Sequence, residues 1–263
     1  MRTRRQRRLA GRIARTGAGA IAAGLGAAGA LLAGQLIAAA RRDPTALLEP
    51  PSIAGTFGVS GDPPLRLAVL GDSAAAGYGV STVEQSVPGQ IASRLSAAGW
   101  RVELSGYAIA GSRTGDLGPQ VSRALLARPD LAVLVIGSDD AVRLTRSSSV
   151  SYGVADAVRR LRDRGVPVVV GTAPDLAAAR ALGQPLRVVA GWRSRKVAKL
   201  QSAATRSAGG MSVDLAKQCG PVFRADPGLL AEDGWHPSVD GARIWVDALE
   251  PTMLDAAGMP AAY

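Results

Sequence analysis

Short apolar runs separated by longer stretches of helical spacing constrain this chain more than any other feature. Leu65–Leu70 (LRLAVL), Val102–Ile109, Leu131–Ile136 (LAVLVI) and Val166–Val170 (VPVVV) read as strands. Two of them are apolar almost throughout, as strands covered on both faces must be. Between them, Gly89–Ala98, Asp116–Ala127 and Val150–Arg164 carry helical spacing, with Gly99 or Gly165 at or beyond their ends. A helix over Pro185–Ala208, a short strand at Met211–Asp214 and a last helix over Val239–Leu254 complete the pattern. This alternation predicts right-handed crossovers and an α/β fold. Its parallel sheet of about five strands has helices on both faces, a three-layer α/β/α sandwich.

Sheets of this kind bind ligands beyond the carboxyl ends of their strands. Four polar turns fall there: Gly71-Asp72-Ser73, Gly111-Ser112-Arg113-Thr114-Gly115, Gly137-Ser138-Asp139-Asp140 and, before the last helix, Asp233-Gly234-Trp235-His236-Pro237. The chain holds one histidine and one cysteine. His236 is thus the sole imidazole, and a multi-histidine metal site is excluded. Cys219 can form neither an intrachain disulfide nor a cysteine zinc cluster, and is expected to be structural. No metal or cofactor is expected.

A net charge of +10 suggests a nucleic-acid partner until it is mapped. Nine arginines lie in residues 1–42 with no acid among them, and the remaining 22 basic residues face 21 acidic ones. The body is close to neutral and has no need of a phosphate backbone, so no nucleic acid is expected. Residues 1–16 form a basic segment, read as cytoplasmic. Residues 17–40 run without a charge and are weakly apolar, rich in Ala and Gly. As a helix they would reach about 36 Å, enough for a hydrocarbon core of about 30 Å. The arginine bias predicts a single-pass membrane anchor with the rest of the chain extracytoplasmic. A cleaved signal with export, and a helix that does not insert, stay open. Residues 41–64, broken by Pro and Gly, read as a linker, and residues 65–263 as the functional domain.

A serine hydroxyl attacks well only when a base takes its proton. Ser73 at a strand-to-helix turn is the candidate nucleophile, His236 the base, and Asp233 the acid that holds the imidazole in one tautomer. The backbone N–H groups of Ser73 and Gly111 suit a developing oxyanion. On these residues the chain resembles the SGNH hydrolases, or GDSL esterase/lipase family, over about residues 65–255. Gly71-Asp72-Ser73 matches the first block, Gly111 the second, Gly137-x-Asp139-Asp140 the third and Asp233-x-x-His236 the fifth. The N-terminal arrangement resembles membrane-anchored actinobacterial members. The resemblance implies a flavodoxin-like sandwich and acyl-ester chemistry without a metal.

One position departs. The family's third block carries an asparagine whose amide donates to the oxyanion, and here Asp139 stands in its place. An ionised carboxylate has no proton to give. The leading expectation is a serine esterase acting on an acyl ester, a lipid or acylated glycan of the cell envelope. An acyltransferase using the same triad, or a weakly catalytic or non-catalytic envelope binding protein, are the alternatives. The basic residues of the Pro185–Ala208 helix read as a solvated face, and Trp192 is expected to pack.

Overall fold

A computed structural model describes residues 29–31, 34–35 and 49–258. The fold belongs to the compact unit that begins at Arg42. Apart from those five positions the expected anchor, residues 17–40, lies outside the described residues, as does the basic segment before it. Among the described residues no helix is long and apolar enough to cross a membrane.

In chain order the elements are β1 (Ala54–Phe57), β2 (Pro64–Gly71), α1 (Val87–Ala97), β3 (Arg101–Gly106), α2 (Leu117–Leu126), β4 (Leu131–Val135), α3 (Ser138–Val142), α4 (Ser147–Arg162), β5 (Val168–Gly171), α5 (Leu186–Ser207), β6 (Met211–Val213), α6 (Leu215–Gln218), α7 (Gly220–Ala225) and α8 (Val239–Gly258). The six strands form one sheet in the order β1-β3-β2-β4-β5-β6. All neighbours pair in parallel except β1, which runs antiparallel to β3. Taken alone, the five parallel strands lie in the doubly wound order 2-1-3-4-5.

Strand parity assigns each side chain to one layer. Leu65, Leu67 and Val69 of β2, with Leu131, Val133 and Val135 of β4, pack against Ile91 and Leu95 of α1 and against Val246, Leu249 and Met253 of α8. The alternate residues Ala68, Leu70, Ala132 and Leu134 face Leu117 and Val121 of α2 and Val154, Val158 and Leu161 of α4. Burial on both faces is why these strands read as unbroken apolar runs. Ser86 starts α1 by accepting the Gly89 amide at 3.1 Å, with proline in the first turn.

The sheet differs from the expectation in one strand. It is mixed and six-stranded, because Ala54–Phe57, placed by sequence in the linker, forms an antiparallel edge. The reason is local: Ile53, Thr56 and Phe57 have strand character, and Ile53 and Phe57 cover the core from the rim. Ile53 also accepts the Gly106 amide at 2.7 Å. The strand expected over Val102–Ile109 ends at Gly106, and the chain from Tyr107 to Arg113 forms the loop that carries Gly111.

Candidate active site

The turn after β2 passes very close to its neighbour. Gly71 has φ +143°, and a Cβ there would stand 1.9 Å from the Val135 carbonyl oxygen of neighbouring β4. Only glycine lets β2 turn so close to its neighbour. The amide of Asp72 then donates to Val135 O at 3.1 Å, and Ser73 follows, buried at the carboxyl end of the sheet.

His236 reaches Ser73 from a sequence distance of 163 residues. Its Nε2 lies 2.8 Å from Ser73 Oγ, and its Nδ1 lies 2.5 Å from Asp233 Oδ2. The other carboxylate oxygen of Asp233 accepts the amides of Trp235 at 2.8 Å and His236 at 3.0 Å, which fixes the acid relative to the imidazole. Burial pushes the Asp233 carboxyl up, but the bonds from the His236 ring and from the Trp235 and His236 amides outweigh it and hold it below the ordinary range. The loop itself is pinned where Ala231 N–H donates to His236 O at 2.9 Å and Ser238 N–H to Leu229 O at 3.0 Å.

Tyr78 stacks on the imidazole, ring centroids 5.5 Å apart. The next residue, Gly79, has φ +96°, and a Cβ there would come within 2.8 Å of His236 Cβ. The 78–79 turn therefore closes directly onto the histidine. Tyr78 also borders a small cavity of about 260 Å³, with Ala75 and Ala76 on the nucleophile turn and Ala108 and Ala110 on the Gly111 loop.

Gly111, φ +75°, sits on that loop with open space where a Cβ would stand. Among the described residues no protein group accepts the amide of Ser73 or that of Gly111. Both are available as donors. The loop is anchored by Gln120, a fully buried residue of α2. Its Oε1 accepts the Gly71 amide at 2.9 Å, and its Nε2 donates to Gly71 O at 3.0 Å and to Ser112 Oγ at 3.1 Å. Gln201 of α5 braces the third turn in the same way, accepting Ala173 N–H at 2.7 Å and donating to Ile136 O at 2.9 Å.

Asp72 joins the first turn to the third. Its carboxylate accepts the amides of Ala74 (3.2 Å), Gly137 (3.2 Å) and Ser138 (3.4 Å). Complete burial, and then the negative charge of Asp139, push its carboxyl up to about 7 against those hydrogen bonds. Asp140 is also buried and raised, chiefly by desolvation, and accepts the amide and hydroxyl of Thr114 at 2.9 and 3.1 Å. Asp139 itself accepts Arg143 Nε at 3.0 Å.

Every site residue expected from sequence lies at this edge. Ser73, His236 and Asp233 are brought into contact, Gly111 offers its amide, and Asp139 stands one turn away, engaged by Arg143. Tyr78, Gln120, Gln201 and Arg143 were missed. For Gln120 a signal existed: a lone amide on the helix face of Leu117, Val121 and Ala124. Trp192, expected to pack, is instead 59% exposed on α5 with the Lys196 ammonium 5.8 Å from its ring. Cys219 is buried, its thiol pushed up to about 11 first by burial and then by Asp247.

Comparison with known proteins identifies the family and the fold. The chain is 38% identical over 241 residues to the GDSL-like esterase Rv1075c of Mycobacterium tuberculosis, an alignment covering 86% of this chain and 76% of that protein. Its fold is similar to a lipase/acylhydrolase of Enterococcus faecalis, with TM-score 0.58 and 17% identity over 76% of this chain and 99% of the other. A lipolytic G-D-S-L family member from Veillonella parvula gives TM-score 0.57 at 14% identity, over 72% and 98%. Residues 69–244 match the GDSL-like lipase/acylhydrolase family. The chain thus belongs to that family, whose members are ester-hydrolysing enzymes.

Proposed function

We propose that the chain hydrolyses small acyl esters by covalent catalysis at Ser73. Ser73 Oγ attacks the acyl carbonyl while His236 Nε2 takes its proton, and Asp233 stabilises the imidazolium that results. The amides of Ser73 and Gly111 receive the oxyanion. Collapse of the tetrahedral intermediate expels the alcohol, which takes the proton back from His236. Water, activated by the same imidazole, then releases the acid and restores Ser73. The observation that carries this reading is the 2.8 Å approach of Ser73 Oγ to the sole imidazole, with Asp233 behind it.

The substrate we infer is an acyl ester of a lipid or acylated glycan of the cell envelope, reached by a chain that residues 17–40 anchor or export. Asp139 supports a second reading, a binding protein that keeps the cleft without turnover. The experiment is hydrolysis of a short-chain aryl ester by the full chain and by Ser73→Ala and His236→Ala. Each substitution is expected to lower turnover at least about 10³-fold. Full turnover in Ser73→Ala rules the mechanism out, and a wild-type protein without turnover favours the binding reading.

A further inference from the structure

Asp139 brings a negative charge into the turn that braces the residue before the nucleophile. The amides of Gly137 and Ser138, the two residues before it, bind the carboxylate of Asp72, which directly precedes Ser73. Asp139 is close enough to Asp72 to raise its carboxyl. Asp139 therefore belongs to the turn that is hydrogen-bonded to the nucleophile's own turn, where the oxyanion forms. Such a charge opposes the transition state as a removed donor does, and one donor is worth about 10²- to 10³-fold in rate.

The same helix supplies a compensating group. Arg143, the residue that caps the C-terminal end of α3, donates Nε to Asp139 Oδ1 at 3.0 Å. The Asp139 side chain is 18% exposed and that of Arg143 39%, so Asp139 is the more buried partner of the pair. Three other charges near this turn are engaged elsewhere. Asp140 is held by Thr114, Arg113 pairs with Asp116, and Asp72 is closed off by backbone amides. Among the described residues Arg143 is the one cation paired with Asp139, and its two Nη groups meet no protein acceptor.

We propose that Arg143 is a positioning residue of the esterase reaction: its guanidinium holds Asp139 and cancels its charge, so that the oxyanion at Ser73 forms in neutral rather than anionic surroundings. The inference rests on the serine-esterase reading. It also explains how a GDSL chain accommodates aspartate where an amide is expected. The pair is electrically neutral, like the amide, and Arg143 retains donors where the carboxylate has none.

The test is a double-mutant cycle on the full chain, reading kcat and KM separately on a neutral short-chain aryl ester. Arg143→Gln is expected to lower kcat about 10- to 10²-fold while KM moves less than about threefold, because the charge acts on the transition state. Arg143→Lys keeps kcat within about threefold of the parent. Asp139→Asn alone raises kcat at neutral pH, and in that background the cost of Arg143→Gln shrinks at least tenfold. Should Arg143→Gln not fold, Arg143→Met against Arg143→Lys is read in the same way. Equal losses from Arg143→Gln in both backgrounds, no loss in the parent, or no gain from Asp139→Asn overturns the proposal. Failure of the esterase reading shows differently, as a Ser73→Ala enzyme that still turns over.

Discussion

A carboxylate buried as deeply as Asp72 makes the fold itself sensitive to pH. The folded state keeps its proton up to about 7, whereas an unfolded aspartate releases it near its ordinary 3.8. Between these values the unfolded chain binds fewer protons than the folded one, so this group's contribution to stability falls as pH rises through that window. Asp72→Asn removes the titration while preserving size. Unfolding free energies from urea titrations between pH 4 and 8 are expected to fall more steeply in the parent than in the variant. Parallel curves would mean that Asp72 is ionised throughout. Neither the burial of Asp72 nor its bonds to the Gly137 and Ser138 amides, 65 and 66 positions away, can be read locally. Ser73, Asp233 and His236 were legible because chemistry restricts their types and the chain holds one imidazole. Tyr78 and Arg143 were not, since a tyrosine in a turn and an arginine on a short helix carry no signal of their neighbours.

The elements found from sequence are those with strong periodicity. The five parallel strands and α1, α2, α4, α5 and α8 lie where apolar spacing put them, with ends shifted by a few residues. Strand β1 was missed because an edge strand of four residues, three of them exposed, has no buried alternation to reveal it. Where two elements approach most closely, composition alone hints at contact. Gly153 of α4 lies against the turn at Thr114, and a Cβ there would stand 2.6 Å from Thr114 O. Backbone cannot move aside cheaply, so Gly153→Ala is expected to destabilise by about 1–3 kcal/mol. Because Thr114 anchors Asp140 in the third turn, kcat should fall as well. Chemical denaturation and steady-state assays check both, and an unchanged midpoint would contradict the close packing.

For the whole molecule, convergence of the site follows from topology. A parallel sheet sends every strand's carboxyl end to one edge, so turns at residues 71–73, 107–113 and 137–140 meet without contact in sequence. The loop at 231–238 then delivers the imidazole from the other end of the chain. That delivery was an inference from order, since no spacing rule links two residues 163 apart. Hydrolysis requires Ser73 to be an activated nucleophile, and a fluorophosphonate reports that directly. Incubation of the folded full chain followed by peptide mass analysis is expected to give one adduct, on Ser73, with turnover lost in proportion. It should be absent after His236→Ala over the same interval. A folded protein that takes no label, or takes it on another residue, would contradict the account.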